Sequence, residues 1–198
     1  MLERSVAIAR QDLEASGRVS LPKRRAIWRA MYPDTETKHG CDIGHRRVVL
    51  LDILTVRRVM PIWCAVFPSD DSPSSMLRIA LDVAFERFDP VIAQRTRDSL
   101  FRDIVENRSY VKGKEIALFV GHAAVNTITT ALFHSVPEDN ADVDDVDLDP
   151  ESFEPSMLAA AAEAGGLPWD EATNHQKERV FWDWYLGAAI TSAMRNMA

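Results

Sequence analysis

Two cysteines and eight glycines in 198 residues exclude several ways of building a domain. Cys41 and Cys64 cannot supply a disulfide framework or a four-thiolate zinc site. So few glycines disfavour a turn-rich β fold. The opening residues, MLERSVAIARQDLE, place charges at Glu3, Arg4 and Arg10 and hold no continuous apolar core. They do not read as a signal peptide, and a reducing cytoplasm is the expected compartment. Missing too are a Gly-rich phosphate loop, a G-x-S-x-G elbow, an H-E-x-x-H helix and a C-x-x-C pair. The sequence therefore offers no ready catalytic site, cofactor site or metal site.

Basic residues are missing from one stretch. Between Pro137 and Pro155 stand Glu138, Asp139, Asp142, Asp144, Asp145, Asp147, Asp149, Glu151 and Glu154, with no lysine or arginine. The net charge of −7 comes from this segment, because outside it 23 basic residues face 21 acidic ones. The acidity is local. Such a balance disfavours nucleic-acid binding by the surface as a whole. The stretch itself, 137–154, is expected to be a mobile loop, since like charges repel and few apolar residues offset the entropy of ordering.

What is present is helical periodicity. The centre of the pattern is Arg47–Phe88, an apolar run into Pro61-Ile62-Trp63, a turn at Phe67–Pro73 and a second amphipathic run. It reads as a helical hairpin, with Asp42 capping its first arm from Ile43 and Ser72-Pro73 opening the second. Pro61 and Trp63 mark its elbow, where a large aromatic is expected to be buried. On either side the spacing predicts helices over Leu2–Ala15, ended by Gly17, and over Lys23–Tyr32. Others follow from Pro90 to Asn107, Val111 to Ser135, Pro155 to Gly165 and Asp170 to Asn196. The run Ile116–Phe133 carries no formal charge and is long enough to span a bilayer. His122, Asn126 and its threonines mark it instead as a buried central helix. The expected architecture is a single all-α domain over 1–198, a bundle of about seven or eight helices with one acidic loop.

Several constellations invite chemical readings. His39, Cys41, Asp42 and His45 are too compressed for structural zinc and lack a second ligand pair. Asp145, Asp147 and Asp149 alternate like the start of a calcium loop, but Pro150 stands where its glycine belongs and Ser156 where its glutamate belongs. Lys23-Arg24-Arg25 reads as a solvated helix edge. Arg46, Arg47, Arg57 and Arg58 share one stripe of an unbroken helix and read as an exposed basic ridge; they are the expected partners of the acidic loop should it be ordered. His122 and Asn126, four apart, fall on one helix face, as a core hydrogen-bonded pair or as a polar site for a small enzyme. Phe181, Trp182, Trp184 and Tyr185 make the last helix apolar nearly all round, as a core helix or an interface through which a scaffold would oligomerise.

Two stretches carry a family resemblance. The first is Met60-Pro61-Ile62-Trp63, then Pro68-Ser69-Asp70-Asp71-Ser72-Pro73 before Met76-Leu77. The second is Phe181-Trp182-Asp183-Trp184-Tyr185-Leu186 leading into Ala188-Ala189-Ile190. Both resemble the fifth numbered family of immunity proteins that accompany bacterial polymorphic toxins. The resemblance implies a mainly α-helical protein that neutralises a cognate toxin by binding it, without catalysis or cofactor. A basic, nuclease-like toxin would suit the acidic stretch. Asp142, Asp144, Asp145, Asp147, Asp70, Asp71, Trp182 and Trp184 are the candidate partner-binding residues. Neither membrane nor direct nucleic-acid contact is expected, and a homo-oligomer is a further candidate assembly.

Overall fold

Prolines and glycines set several of the helix boundaries in the computed structural model, which describes residues 1–108, 113–137 and 143–195. Helix α1 (Leu2–Ser16) ends at Gly17, whose φ of 80° lets its N–H reach the carbonyl of Leu13. Helix α2 (Leu21–Ala30) carries Pro22 in its first turn, where no amide partner is lost. Helices α4 (Ser72–Ala84), α5 (Pro90–Arg102) and α7 (Pro155–Ala164) open on Pro73, Pro90 and Pro155 in the same way. Gly165, with φ 84°, closes α7. The remaining helices are α3 (Lys38–Val66), α6 (Glu115–Leu132), α8 (His175–Trp184) and α9 (Ile190–Arg195). A π-helical stretch, Asp103–Arg108, extends α5, and a second, Tyr185–Ala189, joins α8 to α9 without a break. With α8 and α9 taken as one, the bundle has eight helices in one domain and no strand among the described residues.

Two helix starts differ from the sequence expectation. Helix α3 begins at Lys38, not Ile43, because the Thr37 hydroxyl accepts from the Gly40 amide at 3.2 Å. Asp42 is not its cap but pairs with Lys38 at 2.7 Å. The last helix begins at His175, not Asp170: the Asn174 side chain accepts from the Lys177 amide, while Asp170 closes a turn onto the Leu167 amide. Ser72 is likewise the first residue of α4 and not its cap. Asp70 plays the capping part, accepting from both the amide and the hydroxyl of Ser72.

Helix α6 occupies the middle and packs against α3, α4, α5 and α7. It is apolar and long enough to cross a membrane by composition alone, and here more than half of it is buried, packed against those four neighbours. Close approach depends on its small residues. A Cβ on Gly121 would stand 2.7 Å from Ile104 Cδ1 and 2.8 Å from Trp63 Cζ3. Trp63 is fully buried at the α3–α4 elbow, as its place beside Pro61 predicted. Its indole N–H donates to the Asp70 carbonyl at 2.8 Å, and its ring packs on Phe67 at 4.5 Å between centroids. Arg108 lies over both rings and pairs with Asp70 and Asp103, tying the end of α5 to the elbow.

Candidate functional site

Inside the basic triplet of α2 sits the least expected residue of the chain. Arg24 is not on a solvated edge. It is completely buried, and its guanidinium pairs with Asp145 and with Glu154, the latter at 2.8 Å. The Val19 carbonyl accepts a further bond from it at 2.7 Å, and the Trp182 ring lies 5.3 Å away. Burial works against the Arg24 charge, but the two carboxylates more than offset it and hold the group protonated. Glu154 in turn is pushed up by burial despite Arg24.

This triad ties the acidic segment to α2 at Asp145 and Glu154. Residues 138–142, including Asp142, lie outside the described residues. From Val143 onward the expected loop contains two short 3₁₀ turns, Asp145–Asp147 and Pro150–Ser152. Asp144 and Asp147 form a capping box around the first, and Asp144 also reaches Arg18 at 3.3 Å. Phe153 then enters the core. Among the described residues the ion-pair partners of the segment are Arg18 and Arg24, not the four arginines of α3. Those four do not form a ridge either. Arg46 donates to the Ala84 carbonyl, Arg47 to the Met31 carbonyl, and Arg58 forms a bidentate pair with Glu163 while covering Trp184. Arg57 alone of the four stands exposed.

The candidate partner-binding residues separate into two groups. Asp145 and Trp182 are internal and present nothing to a partner in this fold. Asp70 is committed to Ser72 and Arg108; burial opposes its charge, yet those bonds hold its carboxyl below the usual range. Trp184 is half-buried under Arg58. Asp71 and Asp147 are exposed, and Asp144 is partly so. Sequence reasoning left Asp149 and Glu151 out of the candidates, and both are exposed on the same segment. Val146, at 65 % exposure, and Trp169, at 43 %, add apolar surface, Trp169 packing against Phe153 at 5.9 Å.

Beside this segment opens a cavity of about 310 Å³ between α2, α3, α6 and residues 151–155. Trp28, Tyr32 and Phe153 supply aromatic lining, while Phe133, Ser135, Glu151 and Ser152 are its exposed members. Asn126 lines it and donates to the Phe153 carbonyl at 2.7 Å. His122 does not join Asn126; its ring meets Phe101 edge-on at 5.7 Å, and burial lowers its pKa. The pair expected from their spacing is thus divided between two neighbourhoods, one on the α5 side and one on the cavity. Asp52 of α3 also lines the cavity, at 2 % exposure. Burial pushes its carboxyl up to about 8; a bond from Thr130 opposes this, and Glu154 adds to it. Sequence reasoning passed over Asp52, although a lone acid within Val48–Leu54 was its signal.

Two turns before Asp52 on α3, His45 also borders the cavity, its Nε2 donating to the Ala131 carbonyl at 3.1 Å. The His134 ring lies 4.2 Å from it, and burial together with His134 lowers His45 to about 4. His134 stands 3.7 Å from Asp42. Cys41 is turned toward the Thr35 carbonyl. Among the described residues no three His, Cys, Asp or Glu side chains converge as a metal site.

Comparison with curated proteins gives no match. The family described as immunity protein Imm5 matches residues 6–192, which takes in both arms of the hairpin, the acidic segment and nearly all of the last helix. The chain belongs to the Imm5 family of immunity proteins.

Proposed function

We propose that this protein binds a cognate bacterial toxin and neutralises it by occupying it, without catalysis. The observation that carries the reading is the family match over 6–192, which leaves only the two ends of the chain outside it. The surface chemistry supports a partner of opposite charge. Asp147, Asp149 and Glu151 are exposed along one short segment, with Val146 among them and Trp169 beside Phe153. An acidic rim with apolar anchors is how a protein captures a basic surface, and toxin domains that act on nucleic acid are commonly basic. Arg46, Arg47 and Arg58 are engaged internally, which disfavours direct nucleic-acid binding through α3. The proposed setting is the cytoplasm of the toxin-producing bacterium. Phe181, Trp182, Tyr185, Leu186 and Ile190 of the last helix are buried inside the bundle and Val180 stands exposed among its large apolar side chains, which disfavours a scaffold assembled through that helix.

Co-expression tests the proposal. The toxin encoded beside this protein should kill cells alone and spare them when this protein is present, and the two should co-purify. Failure to protect, or protection without a complex, removes the binding mechanism.

A further inference from the structure

The cavity beside the acidic segment combines three features. Its walls are aromatic. Trp28 and Tyr32 are both nearly buried, and their orientations are fixed by hydrogen bonds to Tyr185 and to the Ser135 carbonyl. Its interior carries a carboxyl group, Asp52, buried to 2 % exposure and unpaired with any cation among the described residues. The charged group acting on Asp52 is Glu154, of the same sign, whose own arginine is shared with Asp145. A buried acid without a counter-charge is costly to keep, and cores rarely retain one where an apolar residue would fit. Its volume of about 310 Å³ falls at the lower end of the range typical for small-ligand sites.

Aromatic faces attract cations through their quadrupole, and a buried carboxyl that gives up its proton to water as a cation enters supplies the counter-charge and hydrogen-bond acceptors. Neutral apolar ligands would gain nothing from Asp52 beyond its bond with Thr130, and anions would face Asp52, Glu151 and Glu154 against Arg25 alone among the charged lining groups. We infer that this cavity, lined by Trp28, Tyr32, Phe153, Asp52 and Glu154, is a receptor for an organic cation, a guanidinium or ammonium group on an aliphatic stem. The cation chemistry stands on the cavity itself. Its source, under the proposed function and resting on it, is a lysine or arginine side chain that the toxin inserts at the mouth formed by Phe133, Glu151 and Ser152.

The test uses the full chain and two probes of matched shape, n-butylguanidinium and its neutral counterpart n-butylurea, in calorimetric titration. The guanidinium should bind, and the urea should bind at least about tenfold more weakly, the scale expected when a desolvated charge pair loses one member. Asp52→Asn keeps the shape and should weaken guanidinium binding by about tenfold or more. Ser152→Trp acts from an exposed position, leaves the core untouched and should abolish binding by closing the mouth. No binding, equal binding of the two probes, or undiminished binding by Asp52→Asn overturns the inference. A toxin arm separates the sources: a complex weakened about tenfold by Asp52→Asn assigns the cation to a toxin side chain, and an unchanged complex assigns it to a free small cation. Should the wild-type protein bind no toxin at all, the immunity reading falls while the probe titration still decides the cavity.

Discussion

Arg24 and Asp145 are 121 residues apart in the chain and meet as a buried ion pair, with Nη1 to Oδ2 at 3.0 Å. Their side chains are 0 % and 2 % exposed, so the pair holds the acidic segment against α2 from inside. Removing one member leaves an uncompensated charge in a dry site. Arg24→Met should therefore cost about 3–5 kcal/mol of stability, measured by urea denaturation. Hydrogen exchange should show residues 143–154 losing protection first, because Asp145 and Glu154 lose their common anchor. A denaturation midpoint within error of wild type would mean that the triad contributes nothing net.

Trp63 gives the second prediction. It fills the space between α3, Phe67 and Gly121 and donates its indole hydrogen to Asp70. Trp63→Ala should cost about 3–5 kcal/mol, the range for deleting a large buried aromatic. Trp63→Phe keeps part of the volume but leaves the Asp70 carbonyl without its donor, and should cost less, about 1–3 kcal/mol. Equal losses for the two variants would show that the hydrogen bond, not the packing, sets the elbow.

How much of this was legible in the sequence follows from the range of each interaction. Helix ends set by Gly17, Pro73, Pro90, Pro155 and Gly165 were readable because capping is a property of neighbouring residues. Trp63 was readable because a proline and an aromatic stand two positions apart. The Arg24 triad was not, since nothing local distinguishes the middle residue of Lys23-Arg24-Arg25 from its neighbours. The α3 stripe failed for a related reason. Positions eleven apart share a helix face, but α2, α4 and α7 approach α3 from different sides and each takes its own arginine. The cavity was half visible: Asn126 was singled out, but it was matched with His122 when its neighbours are Phe153 and Asp52.

The third prediction is a pH dependence with two opposing parts. Asp52 rises from 3.8 to about 8 in the folded protein, where it faces Thr130, Glu154 and the Tyr185 ring system. Between those values the folded state holds a proton that the unfolded state has lost, so Asp52 makes stability fall as pH rises, by up to about 1.4 kcal/mol per unit. His45 moves the other way, from 6.5 down to about 4, so the unfolded state holds the extra proton and stability rises with pH over that window. The two slopes oppose each other up to 6.5, above which the Asp52 slope is no longer opposed by His45 and should lower stability toward pH 8. Asp52→Asn should flatten the decline at the alkaline end, and His45→Gln should expose it at the acidic end. Denaturation midpoints across this range check both signs, and a wild-type profile flat from neutral to pH 8 would contradict the raised Asp52 value.

The fourth prediction concerns the acidic segment in toxin binding. Charges outside the core of an interface steer encounter, while buried contacts set the lifetime of the complex. Asp147, Asp149 and Glu151 are exposed, whereas Asp145 is buried with Arg24. Replacing the three exposed acids by Asn, Asn and Gln should slow association and flatten its dependence on salt, with dissociation nearly unchanged. Asp145→Asn should behave differently. It removes a buried partner of Arg24, so it should lower stability while leaving the salt dependence of association intact in the fraction that is folded. Stopped-flow binding at several ionic strengths, set beside thermal melts, distinguishes the two effects. If the triple variant associates as fast as wild type at low salt, the acidic segment does not steer the toxin, and the contact must lie on another face of the bundle. If the triple variant instead dissociates faster with its association unchanged, these carboxylates lie within the dehydrated part of the interface, where losing a paired charge acts on the lifetime of the complex and not on the encounter.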